Sequence, residues 1–171
     1  ITRLESNLAG YDNYKKIYDK PDLNISKAFT ELKKVDFFHI KIVFKTSTIK
    51  TLINTGEIKL IPEILRNQLT SYNATQRLVI EVSDTNNERS ISILQDASKG
   101  GVNLDLLVRL ENQPEFSKDL NIESNFRKLV LELEAAMAWK SYGENVTVNS
   151  LKSLIKDADD MIIFLNKELE K

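Results

Sequence analysis

The chain has 171 residues, 42% of them hydrophobic and 29% charged, with 24 basic side chains against 25 acidic ones. A net charge of −1 leaves no electrostatic footprint for nucleic acid or an anionic bilayer. The absence of cysteine removes disulfides, thiol catalysis, zinc fingers and iron–sulfur clusters in one step. With only five Gly and three Pro, few breaks are available, so long helices in one all-α domain are expected. No apolar run approaches the roughly 20 residues that a membrane span requires.

The first helix is predicted from near Ile1 to Tyr18, with Leu4, Leu8, Tyr11, Tyr14 and Tyr18 along one face. Pro21 cannot continue it, and Asp19 to Asp22 is a turn by composition. Asp22 or Asn24 can cap a second helix whose apolar face is Ile25, Ala28, Phe29 and Leu32. Phe37 to Phe44, FFHIKIVF, has the two-residue alternation of a strand. A lone strand in a helical chain would have no ladder partner, so an extended connector in a groove is expected.

From Thr46 to Tyr72 each end of each element is specified locally. Thr46 or Ser47 can cap a short helix carrying Ile49, Leu52 and Ile53, and Gly56 can close it in the left-handed conformation. Pro62 suits the first position of the next helix. Leu60 and Leu65 fall at the positions of a hydrophobic staple. The order T-x-x-x-L-x-x-T-G-x-I-x-L-I-P-x-x-L-R-x-x-L-x-x-Y, from Thr48 to Tyr72, resembles an uncharacterised family of Bacteroidetes single-pass membrane proteins. The matching positions include Leu52, Thr55, Gly56, Leu60, Ile61, Leu65, Arg66, Leu69 and Tyr72; Asn73 departs from the pattern, standing where a second aromatic is common. The resemblance implies a helical domain on the periplasmic or extracytoplasmic face of the inner membrane, with no assigned activity. It also implies an N-terminal membrane anchor, which this chain lacks and which would precede Ile1.

The second helix of the corner is predicted as one long element from Pro62 to about Ser98. Ile64, Leu65, Leu69, Tyr72, Val79 and Val82 lead, and Ile93, Leu94 and Ala97 resume in phase. The polar interval Asp84 to Ser90 is expected to bend or to project beyond the packed body. Lys99-Gly100-Gly101 ends the helix, and Asn103 caps a short one with Leu104, Leu107 and Val108. Gln113 to Ser124 reads as loop anchored by Phe116 and Ile122. A helix over Asn125 to Tyr142 follows, with Phe126, Leu129, Val130, Leu133, Ala136 and Met137 inward, and Gly143 to Asn145 marks a turn. The last segment spaces Leu151, Ile155, Ala158, Ile162, Leu165 and Leu169 by four and three, a heptad seam that Leu154 and Met161 widen.

Reactive groups are scarce. His39 is the only imidazole, so a di-iron bundle fails by count, and no G-x-S-x-G elbow exists to present a serine to it. There is neither H-E-x-x-H nor a phosphate-binding loop. Glu132 and Glu134 are two apart on a helix and point apart. Asp157 and Asp160 share a face but fall far short of the six to eight oxygens calcium takes. Trp139, one step off the Ala136/Met137 face, is expected to be half-buried. No catalytic residue, cofactor site or metal ligand is assigned.

Contact candidates remain. They are Arg66, able to clamp a carboxylate or a carbonyl beside the corner, the tyrosine stripe Tyr11, Tyr14 and Tyr18, His39, and Asp84 and Asn87 in the polar interval. The expected function is a non-enzymatic extracytoplasmic domain for protein interaction or signal reception. Its partners would be a protein and, through the missing anchor, a membrane; no nucleic acid is expected, and homo-oligomerisation is left open. The alternative is a soluble small-ligand-binding bundle whose pocket is lined by the tyrosines and the FFHIKIVF connector.

Overall fold

Two long helices determine the architecture, and each carries a continuous inward seam that polar residues share with apolar ones. In the computed structural model, residues 1–32, 34–36, 39–99, 109–110 and 112–170 are described, with the backbone alone described for Ile25, Ser26, Phe29, Glu123, Phe126, Glu168 and Leu169. The fold is all-α, with long helices packed together and no strand among the described residues. Two compact units are present: Ile1–His39 with Thr85–Asn145, and Ile40–Asp84 with Val146–Lys171.

The first unit opens with α1 (Thr2–Lys15), continued by a 3-10 turn over Lys16–Asp19. Leu4, Tyr11 and Tyr14 point inward as their helical spacing predicts, with Leu8 half-buried, and Ile17 is buried in place of Tyr18, which is 51% exposed. Helix α2 (Ile25–Leu32) is capped by Asn24, whose Oδ1 accepts the Lys27 amide at 3.0 Å, so Asn24 takes the role open to it or Asp22. Ala28 and the fully buried Leu32 join the tyrosines, Leu129, Leu133 and Met137 in one core cluster. A fully buried leucine of this kind contributes roughly 1.5–3 kcal/mol.

In the second unit, Ile40 to Thr46 has no regular secondary structure, and exposure alternates along it: Ile40, Ile42 and Phe44 are half-buried, Lys41, Val43 and Lys45 exposed. The segment is a connector and not a strand, as expected, and Phe37 and Phe38 lie outside the described residues. Helix α3 spans Ser47–Asn54. Thr46 occupies its N-cap position but makes no side-chain capping bond; its carbonyl accepts the Lys50 amide at 3.0 Å. Gly56 closes the corner at φ 77°, the left-handed conformation expected of it. A 3-10 turn then covers Glu57–Leu60 and swings Leu60 out, 84% exposed, whereas Leu65 is buried, so the predicted staple does not form.

Helix α4 runs unbroken over Glu63–Ser98. Its inward positions step by four and three from Leu65 through Leu69, Tyr72, Gln76, Val79, Ser83, Asn86, Ser90 and Ile93 to Ala97, with Asn73 buried beside Tyr72. The polar interval does not interrupt the helix: Asn86 and Ser90 hold seam positions, and Ser90 is fully buried. Small polar side chains let helices approach closely, and Ser90 Oγ donates to the Ala136 carbonyl at 3.2 Å. The expected stop at Gly100-Gly101 and the short helix from Asn103 lie outside the described residues.

Helix α5 (Pro114–Asp119) forms where a loop is expected, with Pro114 in its first turn, and Phe116 on it is 54% exposed. Asn121, at φ 50°, turns the chain into α6, and Ile122 is buried. Helix α6 spans Ile122–Leu169 as one 48-residue element, so the predicted turn at Gly143 is absent. The reason is steric. A Cβ on Gly143 would stand 2.5 Å from Asn86 Cβ, so glycine here admits α4 and does not end α6. Further along, Leu154 and Met161 are the buried positions, and Ile155 and Ile162, expected in the seam, are each 53% exposed.

Candidate functional site

The densest polar chemistry lies in the first unit, on elements the sequence separates widely. Lys140 and Glu144, one turn apart on α6, form a salt bridge with side chains only 2% and 7% exposed. Asn7 of α1 donates from Nδ2 to the same Glu144 oxygen, Oε1, at 3.0 Å. Burying a charge is tolerable only when it is paired and hydrogen-bonded, and both conditions hold.

His39 belongs to this centre. Its Nδ1 lies 3.0 Å from Asn87 Oδ1, which can only accept, so the proton sits on Nδ1. Nε2 is buried with no hydrogen-bond partner. Burial pushes the imidazole below its ordinary range and Lys140 acts in the same direction; the Asn87 bond, Glu144 and Asp36 pull against them. With Nδ1 bonded to Asn87 and Nε2 enclosed, the imidazole ties its segment to α4.

The tyrosines form a second constellation. Tyr14 and Tyr18 both donate to Glu134 Oε1, Tyr18 at 2.5 Å, and their phenol oxygens lie 2.8 Å apart. Tyr11 stacks on Tyr14 at 6.4 Å between ring centres, and Tyr14 meets Tyr18 edge-on at 5.8 Å. Burial, then the bond to Glu134, pushes the Tyr14 hydroxyl far above its usual range. Tyr11 and Tyr14 are core residues, whereas Tyr18 is 51% exposed with its hydroxyl engaged. The stripe therefore packs and bonds to α6. A cavity of about 340 Å³ in this unit is lined by Ile17, Lys20, Asp22, Leu23, Lys27, Thr30 and Glu31, without the tyrosines or the described part of the FFHIKIVF connector.

The remaining predicted residues lie in the second unit. Arg66, half-buried, sits one turn into α4 with its amide on the Pro62 carbonyl at 2.9 Å, and Asp84 is half-buried on the same helix. A cavity of about 280 Å³ is lined by Gln68, Ser71, Tyr72, Thr75, Asp157, Asp160 and Met161. Its two carboxylates fall short of the six to eight oxygens calcium takes, and no group of three metal-ligating side chains occurs among the described residues. Asn73 and Gln76 are buried with amide oxygens that have no partner.

Sequence reasoning selected His39 and Asn87 on separate grounds, and the structure brings them into direct contact. It did not select Glu134, Lys140, Glu144 or Asn7. Glu134 is three residues from Met137 and four from Val130, which places it at the edge of the apolar face, within reach of a tyrosine stripe. Lys140 and Glu144, at i and i+4 beside the Met137 face, were the available signal for a buried pair.

Two outward faces of α6 complete the inventory. In the second unit Ile155, Ile162 and Ile163 are each 53% exposed. In the first, Leu131, Trp139 and Tyr142 are 70%, 42% and 62% exposed. No helix among the described residues is long and apolar enough to cross a membrane. Compared with protein-family models, with curated proteins and with solved structures, the chain gives no match in any of the three.

Proposed function

We propose that this chain is a non-enzymatic helical module for protein contact, set on the extracytoplasmic side of a membrane beside an N-terminal anchor. The carrying observation is the rotation of α6 in the second unit. Its heptad positions Ile155 and Ile162 face outward with Ile163, while Leu154 and Met161 fill the inside. Isoleucines repeating at i and i+7 on an accessible helix are what a partner helix packs against. The same unit leaves Leu60 and Ile64 exposed at the start of α4. The non-enzymatic part of the reading is supported by the reactive groups themselves: His39 is bonded to Asn87, and Lys140 to Glu144. The membrane setting rests on the Thr48–Tyr72 resemblance.

The test is crosslinking and pull-down of the intact, anchored protein from its native envelope, in parallel with the double variant I155K/I162K. A protein captured by the wild type and lost with the variant, at unchanged helical content, supports the reading. Equal capture by both, or co-purification of a small molecule alone, overturns it.

A further inference from the structure

The second outward face of α6, in the first unit, carries its own complement. Leu131, Ala135, Ala138 and Tyr142 are spaced by four, three and four, and all four are exposed, while Leu133, Ala136, Met137 and Lys140 point inward. The order along this face is large, small, small, large. At its C-terminal end Ala138, Trp139 and Tyr142 line a shallow, largely open concavity of about 270 Å³. The Trp139 and Tyr142 rings meet edge-on at 6.3 Å and wall it. Leu131, at the other end of the same face, is a projecting aliphatic knob, 70% exposed. A knob and a hole on one helix face cannot meet within one molecule.

We propose that this face closes a homodimer in which the α6 helices of two copies pack antiparallel about a two-fold axis. Each Leu131 seats between Ala138, Trp139 and Tyr142 of the other copy. The axis passes between Ala135 and Ala138, so Leu131 lies opposite Tyr142 and Ala135 opposite Ala138. An isologous interface requires this self-complementarity, in which each contact occurs twice. The two alanines let the helix axes come to about 8 Å, the close end of the packing range.

The rim charges favour the same pairing. Arg89 of α4 stands over the Trp139 ring, 5.6 Å from its centre. Glu132 is seven residues before Trp139 and so on the same flank, where it pairs with Lys128 at 3.7 Å. Antiparallel packing brings like flanks together, which places Glu132 of one copy beside Arg89 of the other. A bilayer would leave these charges in the wrong medium, and a foreign helix would not require both knob and hole on this chain. The face is small, so association is expected to be weak and concentration-dependent.

This inference stands apart from the contact reading of Ile155 and Ile162, and either can fail alone. The test is sedimentation of the whole chain over a wide concentration range, wild type beside Leu131→Glu. Wild type should move toward dimer as concentration rises, and the variant should stay monomeric at unchanged helical content. Because the chain has no cysteine, a mixture of A135C and A138C copies supplies a second readout: oxidation should crosslink A135C to A138C faster than either joins I155C. Monomer at every concentration overturns the proposal. So does dimer that survives L131E, or preferential crosslinking through I155C.

Discussion

Gly143→Ala tests the account of α6 as one continuous helix closely approached by α4. In an open helix interior the change should stabilise by about 1 kcal/mol, because alanine loses less backbone entropy than glycine. Here the new Cβ would stand 2.5 Å from Asn86 Cβ and 2.9 Å from Asn86 Cγ. Carbon atoms prefer roughly 3.5–4.0 Å, and Asn86 Cβ is fixed by its own backbone, so a rotamer change does not clear it. The helices must move by about 1 Å, at the 1–3 kcal/mol typical of overpacking. The net expectation is a loss of about 1 kcal/mol, a fall in Tm of about 2–4 °C for a chain of this size. Gly10→Ala is the internal control: Gly10 lies within α1 and a Cβ there meets nothing within 4 Å, so the same chemistry should raise Tm by about 2–4 °C. Thermal unfolding followed by circular dichroism reads both. Equal stabilisation by the two changes would refute the close approach. Asn86→Gly in the G143A background should recover the packing loss, and a double-mutant cycle with no coupling would point the same way.

Lys140→Met leaves Glu144 buried with Asn7 as its remaining described partner, and should cost about 3–5 kcal/mol in denaturant unfolding; K140M/E144L should be near neutral, since replacing both buried partners often is. Burial lowers the folded-state affinity of His39 for protons, so its contribution is present above about pH 6.5 and is lost as pH falls from there through the folded value. The pH dependence of stability between 7 and 5 should therefore flatten in His39→Gln, and an unchanged slope would place the acid sensitivity elsewhere. Tyr14 has the opposite sign, its hydroxyl being held neutral by burial and by the bond to Glu134. The stability it supplies should disappear as pH rises past about 10. Tyr14→Phe should remove that alkaline step and cost about 1.5–3 kcal/mol, the range for hydrogen bonds to a charged group.

Apolar spacing made the helical scaffold legible before any coordinates. The helices α1, α2 and α4 and the left-handed closure at Gly56 follow from local chemistry that the tertiary structure leaves undisturbed. What was not legible is where polar residues take core positions. Reading hydrophobicity alone, Asn86 and Ser90 look like an interruption and Gly143 like a terminator, because the partner that makes small or polar side chains favourable there is about 50 residues away. The inverse error occurred at Ile155 and Ile162, whose heptad spacing is real but faces outward. Periodicity gives the width of an apolar stripe and leaves open which edge turns inward. At the polar centre His39 and Asn87 were each visible singly, and their bond joins two segments of the first unit that lie far apart in the chain.

The position of the single tryptophan has a practical consequence. Trp139 is 42% exposed, edge-on to Tyr142 and beneath Arg89. Its indole is already partly exposed in the native chain, so its emission should begin between the buried and the fully exposed limits and shift only modestly on melting. Intrinsic fluorescence is accordingly a poor reporter of global unfolding in this protein. A blue shift at constant ellipticity would instead signal that something has covered that one helix face.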